Sequence, residues 1–457
     1  MIEGAATTPE EAATAPRVSF FTLGCRLNQY DTAALRAQVL EEGFRESDAG
    51  SDVILVNTCT VTRRADQEAR QLVRRLHRES PGARIVVTGC YAQRAPEELR
   101  ALPGVTAVLG AAEREDRASV RRALDGLAVD VGPGRAARAF ATSAPVHLGR
   151  SRALLKIQDG CDSFCTYCVV PYVRGRSRSL PFSDALDRAR RLLDTGFAEI
   201  VLTGADLGSY AGLSNLVEGI LSLGTGHRVR LSSIEPHKMD PALAAMIGAE
   251  PRLCRHLHLP LQSGSNAILR AMRRGYTREQ YAGLLEEVTR RGPVGIGADV
   301  IVGFPGEGEA EFQETLEFLE EAPVTFLHVF RYSSRPGTAA SRLSEAVPDL
   351  VARERAERLR LLGEAKARAF RRSFLGTTLP VVMERGVGRR GRVGMSDVYV
   401  PIEVEAEEGM VRGIFEVRVH DEDGDRLVGS SATHAPERVD LETIDDTSPS
   451  GCSAQAG

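Results

Sequence analysis

Cys161, Cys165 and Cys168 stand in a C-x3-C-x2-C cluster directly after an apolar, strand-like run. Three thiolates this close can ligate one metal centre but cannot complete a four-coordinate one. A cubane of four irons has four corners, so three cysteine ligands leave one iron open to a substrate or cofactor. A structural zinc site normally shows a fourth Cys or His at matching spacing, and Val169, Val170, Pro171 and Tyr172 supply none. Buried or zinc-binding cysteines are the plainer alternative. The spacing favours a reactive [4Fe-4S] site.

Cys25, Cys59 and Cys90 lie far apart in the sequence but share a local setting. Each follows a short apolar run (18–23, 53–56 and 84–88) and precedes a helical pattern (31–42, 64–78 and a short one near 96–102). Strands alternating with helices imply a parallel sheet with right-handed crossovers. In such a sheet every strand's C-terminal end lies on one edge, where ligands bind, so the three thiols are expected on one rim. A buried free cysteine is the ordinary reading of any one of them. Three at equivalent strand ends point to a second cluster with three protein ligands and its own open corner.

A Gly/Ala/Arg-rich connector (111–146) leads into a longer β/α alternation. Strands are expected at 153–158, 199–203, 228–234, 256–259, 295–302 and 326–332, with helices between them, for example at 183–194, 216–223 and 277–290. Six parallel strands are too few for a closed eight-stranded barrel. They suit a partial (βα)6 barrel of the TIM type, with the C-x3-C-x2-C loop on top of its first strand. Residues 352–372 read as an arginine-rich helix, either a solvated face or a phosphate-binding surface. Short strands at 380–383, 398–404 and 414–419 suit a small antiparallel β-barrel. The fold class is thus α/β, with expected domains at 17–110, 147–372 and 373–434, a disordered extension at 1–16 and a disordered tail at 435–457.

A chain of 457 residues is long enough for about three domains and a large core without disulfides. Eight cysteines are too sparse for a secreted disulfide framework. The first residues lack the basic start and apolar centre of a signal peptide, and no apolar run is long enough for a membrane span. A cytoplasmic protein without membrane contact is expected. The net charge of −4 gives no whole-chain sign of a nucleic-acid partner. Lysine occurs only at Lys156, Lys238 and Lys366. Cys254 and Cys452 match no ligand position; the first reads as core and the second as part of the polar tail.

The two cysteine sets together resemble the radical SAM methylthiotransferase family over about residues 17–433. Thr22-Leu-Gly-Cys-Arg-Leu-Asn-Gln-Tyr-Asp31, Val56-Asn-Thr-Cys-Thr-Val-Thr62, Lys156-Ile-Gln-Asp-Gly-Cys161 and His258-Leu-Pro-Leu-Gln-Ser-Gly-Ser265 are similar to the motifs of its MtaB-type tRNA branch. Arg26-Leu27 replaces the more usual Lys-Val. The resemblance implies an auxiliary-cluster domain, a radical SAM partial barrel and a C-terminal TRAM domain. It implies two [4Fe-4S] clusters on the six cysteines, and S-adenosylmethionine as both methyl donor and radical source. The implied reaction converts N6-threonylcarbamoyladenosine at tRNA position 37 to its 2-methylthio form, at a carbon too unreactive for a general base.

By the same analogy, the amino end of S-adenosylmethionine meets loop 203–208 with Gly204 and Asp206. Its ribose meets Ser233 and Glu235, its adenine meets Tyr167 and Gly303, and Gln262 lies on the loop after the fourth strand. The implied partners are the tRNA anticodon stem-loop and an electron donor such as flavodoxin or ferredoxin. The C-terminal domain is acidic for an RNA binder, so RNA contacts are expected on Arg385, Arg389, Arg390 and Arg392, helped by Arg63, Arg64, Arg70, Arg74 and Arg75. The alternatives are the same chemistry on isopentenyladenosine or on an aspartate of a ribosomal protein, or a non-catalytic iron–sulfur RNA-binding sensor.

Overall fold

The computed structural model describes residues 15–47, 49–132, 140, 151–389, 391–405 and 413–432, without the side chains of 385–387. The expected N-terminal extension up to residue 14, the tail from 435, much of the connector, Arg390 and the Arg385 side chain lie outside the described residues.

Strands Arg17–Thr22 (β1), Arg45–Glu46 (β2), Val53–Thr58 (β3), Arg84–Gly89 (β4) and Val105–Leu109 (β5) form a parallel sheet in the order β2-β1-β3-β4-β5. Every residue of β3 is buried. Apolar clusters cover both faces of the sheet, so residues 53–56 of β3 form a continuous apolar run rather than an alternation. Helix α1 (Arg26–Glu41) begins earlier than its apolar pattern suggests, with Cys25 as its N-cap. It buries Asn28, Asp31 and Gln38 beside Leu35 and Val39. Leu35 and Val39 face the sheet, while Tyr30 and Ala34 pack against Leu154 and Val201 of the next domain. Helix α2 (Arg63–Glu79) starts where the Thr62 hydroxyl accepts the Ala65 N–H. Short helix α3 (Cys90–Arg94) follows β4. The sequence pattern did not reveal β5 or helix α4 (Arg117–Leu124); Val120, Ala123 and Leu124 join the first sheet's core, so its packing continues past residue 110.

The central domain carries β6 (Arg152–Lys156), the small hairpin pair Gln158–Asp159 (β7) and Arg178–Ser179 (β8), then β9 (Glu199–Thr203), β10 (Arg228–Leu231), β11 (His256–His258), β12 (Gly295–Val302) and β13 (Phe326–Arg331). The six expected strands are present and parallel, but the ladder divides into β10-β9-β6 and β11-β12-β13. Among the described residues only single bridges, Val229 to Leu253 and Ser233 to His258, connect the halves. The division falls where β11 is three residues long and Pro260 soon follows without an N–H to donate.

The long helix α5 (Asp349–Arg372) lays Ala356 and Leu359 into the central core. Arg355 reaches the Glu307 carboxylate at 2.7 Å, and Arg371 and Arg372 reach Glu422 at 3.2 and 2.8 Å. Much of its positive charge is therefore engaged by protein carboxylates, which favours the structural reading over a phosphate track.

Strands β14 (Thr378–Val387), β15 (Arg392–Ser396), β16 (Pro401–Glu405), β17 (Ile414–Asp423) and β18 (Arg426–Ser431) close a barrel in the order β14-β15-β16-β18-β17. It is antiparallel except for the β16–β18 pair, which is parallel. Arg228 and Arg230 dock it by donating to the carbonyls of Pro380, Met395, Ser396 and Asp397 at 2.7–3.0 Å. Buried Glu199 neutralises both, at 2.6 and 2.7 Å. Among the described residues no helix is long and apolar enough to cross a membrane.

Candidate active site

The register Thr22–Asn57–Thr88 runs straight across β1, β3 and β4, so the residues that follow these strands, Cys25, Cys59 and Cys90, emerge on one rim. Two glycines make the approach possible. A Cβ on Gly24 (φ +101°) would stand 2.7 Å from the Cys59 Cβ, and one on Gly89 (φ +101°) would stand 2.3 Å from the Thr58 carbonyl. Asn28, fully buried, ties the rim together: its Nδ2 donates to the carbonyls of Leu23 and Thr58 at 2.8 and 3.1 Å, and its Oδ1 faces the Cys90 thiol at 3.9 Å. Cys25 is exposed while Cys59 and Cys90 are buried. Burial pushes the Cys59 thiol up to about 12 and raises Cys90 as well, so these groups are inert thiols unless a metal displaces their protons.

The second set follows β7. Gly160 (φ +72°) leaves no room for a side chain, since its Cβ would meet the Arg176 carbonyl at 2.1 Å. The chain then turns through Cys161, Cys165 and Cys168, with the Ser163 N–H donating to the Cys161 sulfur at 3.4 Å and Arg274 Nη1 donating to the Cys165 sulfur at 3.2 Å. Burial pushes Cys161 up to about 11 and Cys168 up to about 12. Among the described residues no three His, Cys, Asp or Glu side chains close on a single ion. A cubane does not need them to, because it takes each thiolate on a separate iron.

The loop after β9 carries the clearest fit to a ligand. Gln158 Oε1 accepts the Asp206 N–H at 2.7 Å, which pins the loop against the cysteine turn. Gly204 is needed for this contact, because its Cβ would lie 2.8 Å from that same oxygen. Asp206 Oδ2 takes Lys238 Nζ at 2.5 Å and faces the Cys161 thiol at 3.5 Å, while Oδ1 is buried with no partner. A buried, unpartnered carboxylate oxygen beside the cysteine turn is suited to an ammonium donor such as the amino group of S-adenosylmethionine. Glu235 pairs with Arg274, which also donates to the Tyr167 hydroxyl at 3.4 Å. Tyr167 packs on a buried apolar patch of Ile268, Met272, Phe304 and Ala340.

Three other candidates have close partners within the protein. The space left by Gly303 (φ +75°) is taken by the Ala352 Cβ of α5, and its N–H goes to Glu307 at 2.9 Å. Gln262 adopts φ +67° and its backbone bridges to β12. Ser233 shares a 2.6 Å hydrogen bond with His258 Nδ1, and His258 Nε2 lies 3.1 Å from Asp299 Oδ1. The carboxylate can only accept, so His258 Nε2 donates in that bond.

The two rims are joined by buried charges that the sequence did not reveal. Lys156 Nζ reaches Asp31 Oδ1 at 2.7 Å and Asp159 Oδ2 at 3.1 Å; Arg174 reaches Asp31 at 2.9 Å, Asp159 at 3.0 Å and Asn28 Oδ1 at 2.7 Å. Asp159 lies two residues before Cys161, and Asn28 lies three after Cys25, so the network fixes one cysteine set relative to the other. Of the arginines expected to meet RNA, Arg63, Arg64, Arg74, Arg75 and Arg389 are exposed. Arg64 and Arg75 pair with Glu68 and Glu79 on the same helix, and Arg70 donates to the Tyr91 hydroxyl at 2.5 Å.

Sequence comparison agrees with this architecture. The Radical SAM superfamily matches residues 155–319, and the uncharacterized protein family UPF0004 matches residues 17–110. The threonylcarbamoyladenosine tRNA methylthiotransferase MtaB of Bacillus subtilis is 36% identical over 88% of this chain and 93% of its own length. The protein of the same name from Aquifex aeolicus is 38% identical over 78% and 89%. A tRNA-2-methylthio-N(6)-dimethylallyladenosine synthase from Syntrophotalea carbinolica is 34% identical over 81% and 88%. Among solved structures, the radical S-adenosylmethionine methyltransferase TsrM of Kitasatospora setae matches with a TM-score of 0.54 over 72% of this chain and 77% of that one, at 16% identity, a likeness of fold alone. With such identity across most of both lengths, the chain belongs to the radical SAM methylthiotransferase family.

Proposed function

We propose that this chain methylthiolates threonylcarbamoyladenosine in tRNA, using two [4Fe-4S] clusters and S-adenosylmethionine. The observation that carries the reading is the pair of three-cysteine sets, one at the C-terminal edge of the first parallel sheet and the other after the β7 that follows β6, locked together through Lys156, Asp31, Asp159 and Arg174. The substrate comes from the names of the relatives in Bacillus subtilis and Aquifex aeolicus. When bound, these groups supply a radical able to take hydrogen from carbon 2 of adenosine and a sulfur to replace it.

The protein's own work is to hold and orient. Cys161, Cys165 and Cys168 hold one cluster, and Arg274 keeps Cys165 in place. Asp206 takes the ammonium of S-adenosylmethionine, while Glu235 and Tyr167 flank its nucleoside. Cys25, Cys59 and Cys90 hold the second cluster, with Asn28 and Gly89 fixing their spacing. Residues 17–110 carry the auxiliary site, 147–372 the radical site, and 373–434 an RNA-binding role. An electron donor of the flavodoxin or ferredoxin kind and a cytoplasmic setting complete the reading.

Mass spectrometry of tRNA nucleosides from a deletion strain tests it. Loss of the 2-methylthio form of threonylcarbamoyladenosine is expected, with restoration by the wild-type gene but not by Cys59→Ala. The similarity to a dimethylallyladenosine synthase supports a second reading, and loss of the methylthiolated dimethylallyl nucleoside instead would select it.

A further inference from the structure

Arg26 follows Cys25 directly and is half-buried where the three domains meet. Its Nη2 donates to the Tyr399 hydroxyl at 2.6 Å, and its guanidinium lies 5.4 Å from the Tyr399 ring centroid. The surrounding arginines are matched: Arg152, Arg228 and Arg230 converge on Glu199, and Arg255 pairs with Asp397 at 2.7 Å. Among the described residues no carboxylate lies within 4 Å of Arg26. Asp299, on the central barrel strand β12, is already engaged by His258 at 3.1 Å.

Tyr399 is held at a strained backbone angle, φ +66°, that a bulky side chain seldom adopts. The strain places its ring on His256 at 4.2 Å, with Arg230 5.3 Å away. Strain of this kind persists where surrounding contacts impose it and clusters at ligand sites. A partly desolvated guanidinium without an anion is costly until one arrives, and its planar fork matches a carboxylate. The neighbouring histidines do not compete for that role, since burial lowers the pKa of both His256 and His328. Threonylcarbamoyladenosine carries one carboxylate on its N6 substituent; a dimethylallyl group carries none.

We propose that Arg26, held by Tyr399, receives the carboxylate of the substrate's N6 side chain and so selects threonylcarbamoyladenosine over adenosines with apolar N6 groups. This rests on the substrate reading above.

The test is equilibrium binding, by fluorescence anisotropy, of synthetic anticodon stem-loops to the reconstituted full-length holoenzyme. One RNA carries threonylcarbamoyladenosine and the other dimethylallyladenosine at the same position. Wild type is expected to prefer the first at least tenfold. Arg26→Gln should lose that preference while binding the second RNA as before, and Arg26→Lys should keep part of it. Tyr399→Phe, away from the cysteine rim, should also reduce it, and it decides the matter if Arg26→Gln retains less iron than wild type. A preference unchanged in Arg26→Gln with full iron, or in Tyr399→Phe where that variant decides, overturns the proposal alone. A wild type without any preference overturns the substrate reading and the proposal together.

Discussion

Lys156 Nζ stands 2.7 Å from Asp31 Oδ1, a buried bond between the first barrel strand and the helix that begins after Cys25. Burial alone would raise the Asp31 carboxyl, but Arg114, Lys156 and Arg174 outweigh it and hold the group below the usual range. A carboxylate depressed in this way contributes stability that is complete above its unfolded value of about 4 and is lost as pH falls through the lower folded value. The urea stability of the wild type is therefore expected to fall more steeply below about pH 4 than that of Asp31→Asn. At neutral pH the variant should be weaker by about 3 kcal/mol or more, because buried cations lose their partner. Equal slopes for the two proteins would remove Asp31 from this role.

Asp206 offers a second measurement. Its Oδ1 is buried without a partner, while Oδ2 is satisfied by Lys238 and Ser209. Asp206→Asn should weaken S-adenosylmethionine binding by about tenfold or more, the worth of one hydrogen bond to a charged group. Iron content should be unchanged, since the residue supplies no ligand. Calorimetric titration of the reconstituted protein reads this directly, and wild-type affinity in the variant would place the ammonium elsewhere.

The strands that lead to all six cysteines were legible because each is a largely apolar run soon followed by a glycine or cysteine, and the parallel topology then fixes one edge. The residues that join the two rims were not legible. Helix α1 buries polar Asn28, Asp31 and Gln38, so its apolar periodicity is broken and its start looked later than it is. Arg174 and Arg274 gave no local signal; each acts through partners distant in sequence, such as Asn28 and Glu235. One clue was available. In a chain with three lysines, Lys156 interrupts an apolar strand and Lys238 follows a strand-end loop, and these two occupy the domain junction and the Asp206 contact.

Glu199 governs the docking of the C-terminal barrel. Arg230 and Arg228 overcome the effect of its burial and hold its carboxyl well below the usual range. Glu199→Gln leaves both guanidinium groups buried without an anion, a loss expected to cost about 3–5 kcal/mol. Limited proteolysis should then release a fragment beginning near residue 373 from a protein that otherwise resists cleavage. Arg228→Met together with Arg230→Met, made in the Gln background, should recover part of the stability measured by chemical denaturation. An undiminished barrel contact in Glu199→Gln alone would mean that the carbonyl bonds suffice.

Gly89 offers the most direct check on the auxiliary rim. Its φ of +101° is unfavourable for any side chain, and a Cβ there would lie 2.3 Å from the Thr58 carbonyl and 2.4 Å from Asn57 Oδ1. The Thr58 carbonyl, being backbone, cannot yield without moving the strand end that carries Cys59. Alanine at this position must therefore shift Cys59 and Cys90 relative to each other, while the turn of Cys161, Cys165 and Cys168 belongs to a different sheet. After anaerobic reconstitution, Gly89→Ala is expected to hold about half the iron and sulfide of wild type, one cubane rather than two. Gly82→Ala is the matched control, because nothing lies within 4 Å of its added Cβ, and it should load fully. Full iron in Gly89→Ala with wild-type electron paramagnetic resonance signals would mean that Cys25, Cys59 and Cys90 do not hold a cluster at this rim.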